Sequence, residues 1–222
     1  MTVKSAFNLT SLKSLYDNKV LPVLIDKACA LESISQQRER VVPKASGIVL
    51  EIGVGSGLNA RFYDAQQVTQ VIGVDPHLQP LAQERFAAVG IKLVSQPLSA
   101  ETLPLEDNSV DSVVMTFTLC SIPDPSRALS EIKRILKPAG KLYYAEHGLA
   151  PKPKLVGKIQ QMITPAWKPL AGGCHLDRDI EQLLIQAGFT VLGEQGFTQG
   201  ISIVGYHYWG EATAGTVNTL VE

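Results

Sequence analysis

Charged residues make up only 18% of the chain, and no block of Lys and Arg stands anywhere in it. With a net charge of −1, the electrostatic footprint of a nucleic-acid-binding protein is missing, and no nucleic-acid partner is expected. No apolar run approaches the roughly 18 residues that a membrane span requires. The opening stretch, MTVKSAFNLTSLKS, lacks the apolar centre of a secretion signal. Cysteine is scarce. Cys29, Cys120 and Cys174 are odd in number and far apart along the chain, which suggests neither a disulfide framework nor a zinc site, so no metal is expected. Internal repeats and low-complexity segments are also absent. These absences point to a soluble, cytoplasmic protein of a reducing compartment. With 222 residues, 45% of them hydrophobic, the chain can bury one sizeable core.

The informative stretch runs from Ile48 to Asp75, IVLEIGVGSGLNARFYDAQQVTQVIGVD. It reads as a buried strand (48–52), a turn built on Gly53, Gly55 and Gly57, a helix, and a second apolar strand (71–74) ending at Asp75. Such a βαβ unit is a nucleotide-binding half-fold, with its ligand at the carboxyl ends of the strands. The dinucleotide fingerprint wants glycine at the first, third and sixth positions of the turn. Here the sixth is Leu58, and the third glycine falls at Gly57. Glu51 precedes the turn by two residues; a carboxylate there repels a pyrophosphate but holds a cationic amino-acid portion by charge-assisted hydrogen bonds. Asp75 lies about 20 residues beyond the turn, where a carboxylate accepts from both ribose hydroxyls. An adenosine joined to an amino acid, as in S-adenosylmethionine, fits this pattern better than one joined to phosphates.

The segment from Glu51 through Gly53 and Gly55 to Gly57 resembles motif I of the class I S-adenosylmethionine-dependent methyltransferases (methyltransferase type 11 group), and Asp75 resembles their ribose-binding acid. The resemblance implies S-adenosyl-L-methionine as cofactor and an α/β fold. That fold is Rossmann-like and doubly wound, with a mostly parallel seven-stranded sheet and an antiparallel C-terminal hairpin. It also implies that Ala100 and Glu101 contact the adenine, although Ser99 stands where an aspartate is usual. Further along, TFTLCSIPDP, EIKRILKPAGKLYYAEHG and TPAWKPLAGGCHLDRD are similar to the methyltransferase-like proteins that include the animal thiol methyltransferases. The matching positions are Leu119, Cys120, Ser121, Glu146, His147, Trp167, Gly173, Cys174, Leu176 and Arg178.

The remaining pattern supports the same order of elements. Apolar residues at three-and-four spacing over 9–34 predict amphipathic helix in two pieces, interrupted at Pro22. Pro76, with Asp75 as cap, opens a helix that Gly90 ends. Short strands follow at 91–95 and 111–117. Asp124 and Pro125 start another helix, which Pro138–Gly140 stops, and a fifth strand spans 141–145. Residues 151–176 read as a helical excursion over the carboxyl edge of the sheet, followed by a helix (177–187) and a hairpin (190–197, 201–209). The expected organisation is an N-terminal helical lid segment (1–45), a methyltransferase domain (46–210) with an acceptor-side helical insertion (151–176), and a flexible tail (211–222).

Methyl transfer needs alignment of donor and acceptor more than reactive groups; a base matters only for a protonated nucleophile. Glu51, Gly53, Gly55 and Gly57 are expected to hold the methionyl end, Asp75 the ribose, with Pro76 also at the cofactor, and Thr118 and Leu119 to flank the sulfonium. Tyr16, His147, Trp167 and His175 are expected to line the acceptor pocket, with His147 as catalytic base; Asp17 and Arg38 are further polar positions near the ligand. The acceptor is read as a small, fairly apolar molecule, a thiol first and an amine or phospholipid head group second. Two other classes stay open: a nicotinamide oxidoreductase, disfavoured by Leu58 and Glu51, and a non-catalytic S-adenosylmethionine-binding regulatory module.

Overall fold

The computed structural model describes residues 15–151, 155–198 and 202–214, without the side chains of 17 and 18. The part of the first helical stripe before residue 15 and the Asp17 side chain therefore lie outside the described residues. Seven strands form one sheet in the order β3-β2-β1-β4-β5-β7-β6. The strands are β1 (Gly47–Ile52), β2 (Val68–Val74), β3 (Leu93–Gln96), β4 (Val110–Thr116), β5 (Leu136–His147), β6 (Thr190–Phe197) and β7 (Tyr206–Thr213). The first five pair in parallel, whereas β7 runs antiparallel to both β5 and β6. The central strands are nearly continuous apolar runs because both faces of the sheet are covered.

The α-helices among the described residues are α1 (Leu21–Cys29), α2 (Glu32–Val41), α3 (Pro80–Ala88), α4 (Pro125–Ile135), α5 (Leu155–Trp167) and α6 (Ile180–Gln186). One core joins α4 and α6, through Leu129, Ile132, Ile180 and Leu184, to one face of the sheet. The other joins Val41 at the end of α2, and Ala82 and Phe86 of α3, to the opposite face. In α4 the Asp124 side chain accepts from the Arg127 N–H at 3.0 Å with Pro125 in the first turn, as its sequence signals predict. Glutamine 160 of α5 ties the excursion to the end of β5. Its amide donates to Gly148 O (3.0 Å) and Ile203 O (2.9 Å) and accepts from Ala150 N (2.8 Å).

Four expectations need correction. The segment after Gly57 is no helix but a single 3₁₀ turn, Ala60–Phe62. Asn59 turns its amide inward, and an Asx turn at Asp64, whose carboxylate accepts from Gln66 N (2.8 Å), leads straight into β2. Asp75 does not cap a helix. Its Oδ1 accepts from His77 N (2.7 Å) and its Oδ2 from Gly55 N (2.9 Å), so α3 starts only at Pro80. Pro22 does not interrupt the N-terminal helix, because it sits in the first turn of α1, fed by a π turn at Tyr16–Val20. The break falls instead at Leu31, which is extended (ψ 146°). Finally, β7 continues past Gly210: Glu211 to Thr213 pair with Leu192 to Thr190 and with Tyr143 to Lys141, so these three residues belong to the sheet rather than to a tail.

Candidate active site

A cavity of about 1470 Å³ opens at the carboxyl ends of β1, β2 and β4. That is ample for an adenosine carrying an amino acid together with a small acceptor. Its floor is the glycine turn. At Gly53 (φ +72°) the chain enters the left-handed region, and an added Cβ would collide with the Thr118 side chain. At Gly57 (φ +80°) a Cβ would stand 2.9 Å from Ala82 Cα, so glycine is what lets the turn meet α3. Glu51, Gly53, Gly55, Asp75, Pro76, Ala100 and Thr118 all border the cavity. The Asp75 carboxylate keeps a free lone pair on each oxygen beyond its two backbone donors.

Behind the turn lies a buried polar network that sequence reading largely missed. Glu51 is 1% exposed and accepts from Asn59 Nδ2 (3.1 Å) and the Tyr63 hydroxyl (2.7 Å). Arg38, 4% exposed, donates to Asn59 Oδ1 (3.1 Å) and Thr116 Oγ1, and its guanidinium lies 5.1 Å from the centre of the Phe117 ring. Its Nε has no partner among the described residues. Asn59 lies in the stretch whose apolar spacing predicts a helix, and its place two residues after Gly57 is the signal for its inward turn.

The loop that follows β4 is tethered from both sides. The fully buried Glu146 accepts from the N–H groups of Thr118 (2.9 Å) and Leu119 (3.0 Å). Arg178 donates to the carbonyls of Leu119 and Ile122, and His175 N donates to Cys120 O at 2.9 Å. This fixes Phe117, a non-glycine residue at φ +55°, at the inner wall of the cavity.

Other expected site residues point elsewhere. Leu119 is completely buried, and only its neighbour Thr118 borders the cavity. Glu101 accepts from Asp124 N (2.6 Å) and Ser99 Oγ (2.7 Å), which locks its side chain beside the start of α4. Tyr16, Trp167, His147 and His175 are not among the lining residues. Tyr16 instead donates to Leu170 O (2.7 Å), joining the N-terminal helix to the turn after α5. His175 faces Asp177 at 3.4 Å, and burial, with Arg178 and Lys168 nearby, holds its ring below the usual histidine range. The His147 Nε2 lies 3.2 Å from Cys174 Sγ. Burial works to lower the His147 pKa, but Cys174 and Glu146 outweigh it and raise it. Cysteines that stand far apart in the sequence come together in the fold. One donor atom each from Cys120, His147 and Cys174 lies within 4.8 Å of the others, because the ends of β4 and β5 and the turn after α5 converge there.

Burial pushes the Glu51 and Glu146 carboxyls up, each to about 7, and pushes His207 down to about 4. A raised carboxyl binds a proton in the folded state that the unfolded chain has lost, so its contribution to stability falls as pH rises from about 4.5 to about 7. The depressed histidine acts in the opposite sense below about pH 6.5. Two raised acids against one strongly lowered base leave a net loss of stability as pH rises from about 5 to about 7.5. The urea midpoint is therefore expected to be lower at the higher pH; a midpoint that holds or rises would contradict this ranking of charges.

Comparison with known proteins agrees with the geometry. Residues 50–144 match the family model described as "Methyltransferase domain". The chain is 31% identical over 194 residues to human thiol S-methyltransferase TMT1A, covering 82% of this chain and 76% of that protein. It is 31% identical over 147 residues to rat thiol S-methyltransferase TMT1B, covering 64% of this chain but only 59% of the rat protein's length. A crystal structure of a Thermotoga maritima SAM-dependent methyltransferase superposes with a TM-score of 0.61 at 22% identity, over 92% of this chain and 100% of that one. No described helix is long and apolar enough to cross a membrane. The chain thus belongs to the class I S-adenosylmethionine-dependent methyltransferases and is similar within them to the thiol S-methyltransferases.

Proposed function

We propose that the protein transfers the methyl group of S-adenosylmethionine to the sulfur of a small, apolar thiol. The observation that carries this reading is the apolar part of the cavity lining. Leu21, Pro22, Val23 and Ile25 of α1 and Pro165 and Pro169 of the excursion border the cavity, alongside Lys19, Asp26 and Lys168. Phe117 is the one Phe, Tyr or Trp among the described lining residues, and it already lies under Arg38. An aromatic cage for a methylated ammonium is thus not what the described residues build. The thiol S-methyltransferase relatives point the same way.

Asp75 and Pro76 suit the ribose and Ala100 the adenine. The buried Arg38, with its unpartnered Nε, suits the carboxylate of the methionyl end, and Glu51 borders the same cavity. When bound, the donor supplies an electrophilic methyl carbon on a sulfonium. The chain's own task is to orient that carbon, through the tethered Thr118 region, toward the apolar wall and to exclude water. The expected base, His147, is absent from the lining, so the thiol is read as losing its proton to solvent before it attacks.

The test is turnover with methyl-deuterated S-adenosylmethionine, offering an alkyl thiol, a primary amine and an ethanolamine lipid in parallel. A labelled thioether is the expected product by mass spectrometry. Label on the amine or lipid alone overturns the acceptor assignment and leaves the donor site standing.

A further inference from the structure

Cys120, His147 and Cys174 lie beside the cavity without lining it, and nothing in the donor site uses them. Each sits on a tethered backbone. Cys120 O accepts from His175 N at 2.9 Å, Cys174 N donates to Ala171 O at 3.1 Å, and His147 is paired with His207 across β5 and β7. The three donor atoms lie within 4.8 Å of one another, with Cys174 Sγ and His147 Nε2 at 3.2 Å. A tetrahedral zinc ion, with bonds of about 2.3 Å to sulfur and about 2.0–2.1 Å to nitrogen, holds such atoms roughly 3.5–3.8 Å apart. Small side-chain rotations therefore close the ring around an ion.

We propose that Cys120, Cys174 and His147 form a binding site for one soft divalent metal ion of zinc's class, whose remaining position takes the sulfur of the acceptor thiol. Two thiolates and an imidazole are the donor set that selects such an ion over magnesium or calcium. Three protein ligands with a fourth position open is zinc's catalytic arrangement, as opposed to its closed structural one. The residues next to the ligands, Ser121 and Gly173, line the cavity, so the site adjoins it. On coordination the thiol releases its proton to solvent, and its sulfur keeps the electron pair. That pair forms the new S–C bond as the S–CH₃ bond of the donor breaks, the bonding electrons leaving with the neutral thioether S-adenosylhomocysteine. This inference rests on the thiol reading above for its acceptor but not for its metal.

The experiment is a cobalt(II) titration of the reduced, chelator-stripped full chain. One equivalent is expected to bind with a thiolate-to-cobalt charge-transfer band, displaced by one equivalent of zinc and altered by added alkyl thiol. Cys120→Ser and Cys174→Ser should each weaken the band, their double variant should lose it, and Cys29→Ser should keep it. Retained S-adenosylhomocysteine binding shows that each variant is folded. Absence of the band in the reduced protein, its survival in the double variant, or a Cys120–Cys174 disulfide as the sole chemistry of the pair overturns the proposal. Full thiol methylation in the presence of chelator also overturns it while leaving the thiol reading intact. A zinc-displaceable band with no thiol methylation supports the metal site and overturns the acceptor.

Discussion

Arg38→Ala is expected to destabilise the protein by about 3–5 kcal/mol, the range for removing one partner from a buried charge network. The guanidinium is 4% exposed and has two buried acids, Glu51 and Glu146, within its field. Its loss leaves Asn59 Oδ1 without that donor and opens a void against Phe117. The acids respond by holding their protons more tightly, so the pH at which stability levels off should move upward in the variant. Arg38→Lys retains the charge but not the guanidinium, whose Nη1 donates to both Asn59 and Thr116 and whose plane lies over Phe117, and should recover only part of the loss. Urea denaturation at neutral pH, with and without S-adenosylhomocysteine, measures both effects. A loss below about 1 kcal/mol, the worth of an exposed pair, would show that the network is not the internal support described.

The second large effect is expected at Glu146. Glu146→Ala leaves the buried Leu119 N–H without an acceptor, at about 1–3 kcal/mol, and takes the acceptor from the half-buried Thr118 N–H as well. The loop they belong to borders the cavity, and displacement of a positioning element by about 1 Å lowers turnover on the order of a hundredfold. Glu146→Gln preserves a carbonyl oxygen at Oε1 and removes the ionisation. It should therefore retain most of the activity and flatten the pH dependence of stability between about pH 5 and pH 7. Equal damage from Ala and Gln, read as kcat and urea midpoint together, would instead assign Glu146 a role through its charge.

Much of this architecture is legible in local pattern. The buried runs of β1, β2 and β4 and the Asp124–Pro125 start of α4 follow from periodicity and capping, which depend on near neighbours in the chain. So does the glycine turn, since left-handed backbone and close approach at Gly53 and Gly57 leave few other residues. What the pattern hides depends on distant partners. The stretch after Gly57 has enough apolar spacing for a helix, but Asn59 is drawn inward by Glu51 and Thr116, residues on two different strands. Asp75 has the chemistry of a cap, and a nearer backbone donor in the glycine turn takes one of its oxygens. Tyr16, Glu101 and His175 were polar residues in suggestive positions, and each found a partner outside the cavity. Cys120 and Cys174 are 54 positions apart by their numbers yet neighbours in the fold, because sequence spacing does not measure distance across a sheet.

The place of β7 between β5 and β6 bears on how the chain emerges from the ribosome. Strand β5 ends at His147 and its partner begins only at Tyr206. At roughly 5–20 residues per second, about 3–12 seconds of synthesis separate the two. Throughout that interval the edge of β5 carries unpaired backbone donors and acceptors, the template that stray strands add to. Strand β6 is made in the meantime and cannot fill the gap, since its neighbour in the sheet is β7 alone. The antiparallel half of the sheet therefore cannot close before β7 has been made.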